Sequence, residues 1–210
     1  MRPENDPSLD AAYALKTPQD SKRLYAEWAD TYDREFAASS DYILHHHVAH
    51  RFAGAGGIGP VLDVGAGTGL LAEALAPLIS AEIDGTDISP EMLQRARVKG
   101  LYRHLFTGDL TRTLPVQNGT YAGITSSGTF TNGHVGPDAF DELLRITAPD
   151  GLIVLSINAQ HFSDAGFAKK IDSIQAQITD LSLQEVLIYG TAATGDHKDD
   201  TALIACFRKA

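Results

Sequence analysis

Three glycines at alternate positions, Gly65, Gly67 and Gly69, follow the apolar run PVLDV (60–64), and Asp87 and Asp109 close the next two apolar runs. Glycines let a backbone turn tightly and approach a ligand closely, and a helix that starts after them aims its free amides at any anionic group. Asp87, eighteen residues beyond Gly69, is placed to accept both hydroxyls of a ribose. A glycine loop and two acids in this order read as a nucleotide-cofactor site. The spacing is G-x-G-x-G, with Leu70 where the dinucleotide fingerprint has its third glycine, and this weighs against an NAD-type oxidoreductase. Asp63 has two open readings, a ligand contact or a strand-end residue bonded to backbone.

Other side chains could carry a proton or a metal. His134 follows the fourth apolar run in a loop with Asn132, Gly128 and Gly133. A histidine there titrates near neutral pH and suits a general base, or it only caps the helix beginning near Pro137. His161 lies just past the fifth apolar run, as a surface cap or facing an acceptor pocket. His45, His46 and His47 point in different directions on a helix, and only His46 and His50 share a face, so no metal site is expected. Cys206, alone in the chain, reads as packing in the last strand.

The elements that must position these residues alternate. Asp20 to Ala37 places Leu24, Trp28 and Tyr32 four apart and predicts an amphipathic helix. Tyr25 and Tyr32 either pack in it or cover the cofactor. A second helix is predicted over Asp41–Phe52, and GAGGIG (54–59) marks a linker. From Pro60 the sequence predicts strands at 60–64, 81–87, within YRHLFTGD, at 121–127, 151–158, 182–190 and 201–209. Helices are expected after the glycine loop, from Ser89 to Lys99, over Pro137–Thr147, and where Phe167, Ile171, Ile174 and Ile178 recur at helical steps. This predicts an α/β, Rossmann-like sandwich on a mostly parallel seven-stranded sheet ending in an antiparallel hairpin. Residues 1–59 form an N-terminal tail and helical lid, and residues 60–210 form the ligand-binding domain.

The chain has 210 residues, 17 Lys+Arg against 27 Asp+Glu and a formal charge of −10. Nothing supplies the basic surface that nucleic-acid binding usually needs. The short stretch Arg95, Arg97, Lys99 and Arg103 reads as a solvated helix face. No apolar run approaches the roughly 18 residues that cross a bilayer, and the polar, acidic start lacks a signal-peptide pattern, so a cytoplasmic protein without membrane contacts is expected.

VLDVGAGTG, IDGTDISPEML and TGDL together resemble the class I S-adenosylmethionine-dependent methyltransferases over roughly residues 60–210. YAEWADTYD (25–33), GITSSGTFTNGHVGP (123–137) and DELLRITAPDGLIVLSIN (141–158) are similar to a narrower branch, the Williams-Beuren-region methyltransferase-like proteins. Ala122 and Asp150 depart from that pattern, away from the cofactor positions. The resemblance implies that S-adenosylmethionine is the cofactor and that Gly65, Ala66, Gly67 and Gly69 border its methionine part. It further implies that Asp63 orients the ammonium through water, Asp87 holds the ribose, and Ile88 and Leu110 sandwich the adenine while Asp109 takes its amino group. Met92, Gly108 and Ser126 complete the expected set, with Tyr25 and Tyr32 above it.

The chemistry then asks mainly for a held acceptor, since the sulfonium methyl is already activated. The chain lacks the Asn/Asp-Pro-Pro-Tyr segment of enzymes that methylate base amines, so the expected acceptor is an O, N or S atom of a small molecule, with His134 as candidate base. A non-catalytic cofactor-binding module is the remaining rival.

Overall fold

The computed structural model describes residue 37 and residues 40–210. Tyr25, Trp28 and Tyr32, on the helix expected from Asp20, lie outside the described residues. Seven strands form one sheet in the order β3-β2-β1-β4-β5-β7-β6. They are β1 (Val61–Val64), β2 (Ile83–Asp87), β3 (Leu105–Thr107), β4 (Tyr121–Phe130), β5 (Thr147–Asn158), β6 (Ile178–Leu187) and β7 (Thr201–Lys209). The first five pair in parallel, and β7 runs antiparallel to both neighbours. Among the described residues, α1 (Leu44–Gly54) precedes the sheet and five helices lie between its strands: α2 (Leu70–Leu75), α3 (Pro90–Val98), α4 (Ala139–Ile146), α5 (Ala159–Asp164) and α6 (Phe167–Ser173).

Local chemistry explains most of these boundaries. Ser89 Oγ accepts from the Met92 amide at 3.2 Å, and Pro90 stands where its missing N–H costs nothing, so α3 starts there. The expected helix over Phe167–Ile178 is shorter. It ends at Ser173, passes through a 3₁₀ turn (Gln175–Gln177), and Ile178 opens β6, four residues before the predicted strand start. Ile171, Ile174 and Ile178 all stay buried in one core, so a turn followed by a strand reproduced the helical spacing. Pro149-Asp150-Gly151 lies within β5, where Asp150 takes a left-handed φ of 63°.

The two sheet faces carry separate cores. On one, Phe130, Phe140 and Phe167 meet edge to face at 5.8–6.2 Å. On the other, Leu44, Val48, Ala49 and Phe52 of α1 pack with Val61, Leu75, Val154 and Ile204. A Cβ at Gly57 or Gly123 would come within 2.5 Å of the Phe52 ring, so these glycines are the seat of that ring as well as linker and strand residues. Truncating a phenylalanine buried in this way to alanine costs about 3–5 kcal/mol. Among the described residues no helix is long and apolar enough to cross a membrane.

Candidate functional site

The carboxyl ends of β1, β2 and β4 open on a single cavity. Ligands of open α/β sheets bind at such strand ends, beside the point where strand order reverses. Here the order reverses between β1 and β4. Gly65, Ala66, Gly67, Asp87, Ile88, Met92, Gly108, Asp109, Leu110 and His134 all line the cavity.

The glycine loop is built around Asp87. Its Oδ2 accepts the Gly67 amide at 2.9 Å and its Oδ1 the Ser89 amide at 2.8 Å. Burial pushes this carboxyl up, and the backbone amides pull it back down. The glycines differ in why they are needed. A Cβ on Gly67 would meet nothing within 4 Å, whereas one on Gly65 would sit 1.9 Å from Thr129 Oγ1. Gly65 thus makes room for a neighbouring strand and Gly67 leaves space in front of the backbone. Gly69 lies outside the cavity lining and caps α2 at φ 91°.

Asp109 is held by its own turn: Oδ1 accepts the Thr111 amide at 2.9 Å and hydroxyl at 2.6 Å. Asp63, at the end of β1, is buried and outside the lining. Its Oδ2 accepts the Tyr102 hydroxyl at 2.7 Å, and its Oδ1 has no partner. Burial, only partly offset by the Tyr102 bond, pushes this carboxyl up to about 7.

Ser126 does not line the cavity, and a bulge begins immediately after it. Between Ser126 and Phe130, β4 spends four steps where β5 spends two, from Leu155 to Ile157. Such a bulge re-aims side chains beside a site. Ser126 is buried, with its hydroxyl donating to the Val64 carbonyl at 2.7 Å. Ser127, Gly128 and Thr129 face the cavity instead.

The opposite wall comes from residues that sequence reasoning did not place there. Tyr42 and His45, just before and within α1, line the cavity and stack at 5.5 Å. The Tyr42 hydroxyl lies 3.1 Å from Ser127 Oγ, and burial pushes the phenol up to about 12, so it stays protonated. Thr68, Leu70, Leu71, Thr86, Thr111 and Val135 complete the lining. The sequence placed His134 and its loop, with Gly128, on this side of the site, and nothing in it pointed to Tyr42 or His45.

His134 Nδ1 is 3.1 Å from the Asn132 carbonyl, which can only accept, so Nδ1 carries the proton and Nε2 the lone pair. Burial pulls the ring down to about 4. His161 stands behind this loop. Its Nε2 lies 3.0 Å from the Val135 carbonyl oxygen and its Nδ1 2.9 Å from Asn132 Oδ1, so it contacts residues on both sides of His134 without lining the cavity. His46 and His50 are exposed, and no group of three His, Cys, Asp or Glu among the described residues is placed to hold a metal ion.

Comparison with known proteins agrees with this geometry. Residues 61–151 match the family model described as a methyltransferase domain. The chain is 30% identical over 158 residues to the human methyltransferase-like protein 27, a match spanning 73% of this chain and 64% of that one. It therefore spans just under two thirds of that relative's length. A similar solved structure is a methyltransferase of Thermotoga maritima, with 13% identity, TM-score 0.62 and coverage of 88% and 98% of the two chains. The [4+2]-cyclase SpnF superposes with a TM-score of 0.68 at 16% identity, covering 93% and 97%. These two structural likenesses concern the fold.

Proposed function

We propose that the chain, whose residues 61–151 match the methyltransferase-domain model, transfers a methyl group from S-adenosylmethionine to an O, N or S atom of a small molecule. The observation that carries this reading is the cavity with two unlike walls: a glycine loop with Asp87 and Asp109 on one side, and Tyr42, His45, Ser127 and His134 on the other. The first wall fits the cofactor chemically. Gly67 leaves open space before its backbone, Ile88, Met92 and Leu110 offer apolar surface to a purine, and Asp87, held by backbone amides that include those of Gly67 and Ser89, presents a carboxylate to the cavity. When bound, S-adenosylmethionine supplies a methyl group activated by a positively charged sulfur.

The chain's own residues do the rest. Asp87 holds the ribose end and Asp109, fixed by Thr111, takes a donor at the base end. Tyr42 keeps its proton and donates or stacks toward the acceptor. His134, neutral at physiological pH with its lone pair on Nε2, is the candidate to accept the acceptor's proton where the nucleophile is a hydroxyl. The expected division at residue 60 is carried into the same proposal only for the residues before α1, with Tyr25 and Tyr32 covering the cofactor, because α1 itself packs in the core of the domain. A net charge of −10 and a cavity lining without Lys or Arg among the described residues favour a small acceptor over nucleic acid.

Calorimetry with S-adenosylmethionine, S-adenosylhomocysteine and NADH tests the cofactor. Micromolar binding of the first two and none of NADH is expected, and NADH binding alone would restore the oxidoreductase reading. Turnover with no acceptor across a broad panel, despite tight cofactor binding, would favour the non-catalytic module.

A further inference from the structure

The wall opposite the glycine loop carries no formal charge. Among the described residues that line the cavity, the only carboxylates are Asp87 and Asp109 on the cofactor side, and there is no Lys or Arg. Tyr42, its phenol pushed up to about 12 by burial, keeps its proton, and His134, pulled down to about 4, stays neutral. An ion moved from water against this wall finds no opposite charge, and burying an unpaired charge is costly. The acceptor that fits here is uncharged.

The same wall leaves hydrogen-bonding capacity in a definite proportion. Tyr42 Oη and Ser127 Oγ both belong to lining residues and lie 3.1 Å apart, with either able to donate to the other. Each hydroxyl has one hydrogen and two lone pairs, so their single shared bond leaves one hydrogen to donate and lone pairs to accept. A ligand hydroxyl, which accepts and donates, matches that remainder. A carboxylate only accepts and an ammonium only donates.

The pair is held from two sides. A Cβ on Gly128 would stand 2.8 Å from the Tyr42 hydroxyl, so this glycine, at φ 77°, gives the hydroxyl its seat against β4. On the other side the chain around Tyr42 is clasped to the turn after β6. The Asp41 carbonyl accepts the Gly190 amide at 2.8 Å, Asp41 Oδ2 accepts the Ala192 amide at 2.9 Å, and the Ile43 amide donates to the Ile188 carbonyl at 3.0 Å. The Tyr42 and His45 rings stack within 17° of parallel. Two nearly parallel rings on one wall favour a ligand that is itself aromatic.

We propose that this wall selects an uncharged aromatic alcohol, its hydroxyl carried on the ring, as the methyl acceptor, with Tyr42 and Ser127 as the specificity-determining residues. This rests on the cofactor reading above. In the transfer, a lone pair of the acceptor oxygen forms the O–CH₃ bond as the S–CH₃ bond breaks. The electrons of that bond stay on sulfur, which becomes a neutral thioether, and the acceptor's proton leaves to a base, for which His134 is the candidate.

The test uses the full chain saturated with S-adenosylhomocysteine and four probes of similar size: 2-naphthol, 2-naphthoate, 2-naphthylmethylamine and decahydro-2-naphthol. At pH 7.5 the second is an anion, the third a cation and the other two are neutral. Calorimetry is expected to show 2-naphthol binding at least about tenfold more tightly than either ion, and about three- to tenfold more tightly than the saturated alcohol. Tyr42→Phe, which keeps the ring, and Ser127→Ala are each expected to weaken 2-naphthol about five- to tenfold and to bind S-adenosylhomocysteine as the unmodified protein does. With S-adenosylmethionine in place of the product, 2-methoxynaphthalene is expected to form from 2-naphthol. An ion or the saturated alcohol bound as tightly as 2-naphthol overturns the proposal, and so does binding of none of the four to the loaded protein. Unchanged 2-naphthol affinity in both variants overturns it too. If the unmodified protein does not bind S-adenosylhomocysteine, the cofactor reading itself fails and this proposal falls with it.

Discussion

Asp87 does two things with one carboxylate: it folds the glycine loop through the amides of Gly67 and Ser89, and it offers the remaining lone pairs to the cavity. Charge-assisted hydrogen bonds contribute about 1.5–3 kcal/mol each, so Asp87→Ala is expected to weaken S-adenosylhomocysteine at least about tenfold. Asp109→Ala is expected to cost less, because one bond is at stake; titration calorimetry on the two folded variants ranks them. His134 gives a pH prediction. Its ring is pulled from 6.5 to about 4 by burial, so between those values the unfolded chain takes up a proton that the folded chain refuses. Stability therefore falls as pH drops through that window, by up to about 3 kcal/mol, and His134→Ala is expected to flatten the fall in melting temperature. With an acceptor in hand, the unmodified enzyme is expected to lose turnover near pH 4, where a surface histidine would lose it near 6.5. His134→Ala is expected to bind cofactor normally and to lower turnover about 10²–10⁴-fold. Full turnover in that variant would make the ring a structural part of its loop.

At the scale of elements, the contact between the end of β1 and the bulge of β4 decides the shape of the cavity. Gly65 has φ 71°, and a side chain there would collide with Thr129. Gly65→Ala is expected to cost more than about 2 kcal/mol, the left-handed backbone contributing about 1–2 of it. Thr129→Ala in the same chain is expected to recover part of the loss. Urea denaturation of the two single variants and the double variant measures this coupling, and simple additivity would mean that the two residues do not share the contact. The bulge also explains what the sequence revealed and what it hid. The glycine loop, Asp87 and Asp109 were legible because each sits where a strand stops, a boundary written in the local sequence. Ser127, Gly128 and Thr129 all line the cavity because two extra residues in β4 follow Ser126, and strand alternation alone does not bring three successive residues to one site. Tyr42 and His45 were illegible for another reason: they reach the site from a helix whose placement depends on Phe52 and the glycines that seat it, a tertiary fact.

For the molecule as a whole, α1 is part of the core, with Leu44, Val48, Ala49 and Phe52 packed on β1, β5 and β7 residues. A chain starting at residue 40 is therefore expected to fold and melt cooperatively, and one starting at residue 58 to lose stability and the Tyr42–His45 wall together. Differential scanning calorimetry of the two separates them; comparable melting would show that α1 is dispensable. The far side of the sheet has a consequence for synthesis. β7 lies between β5 and β6 although β6 precedes it along the chain. While the polypeptide is being made, β6 has no hydrogen-bonding partner and β5 has one side bare, and both wait for the nine residues Thr201–Lys209. Insertion of that strand is the step that commits the sheet, and long-range pairing of this kind is slow. Until it happens, Leu181, Leu183 and Leu187 sit on an unpaired strand, a hazard for self-association that chaperones are suited to shield. In pulse-labelled hydrogen exchange, amide protection in β6 and β7 would then arise as a single kinetic event.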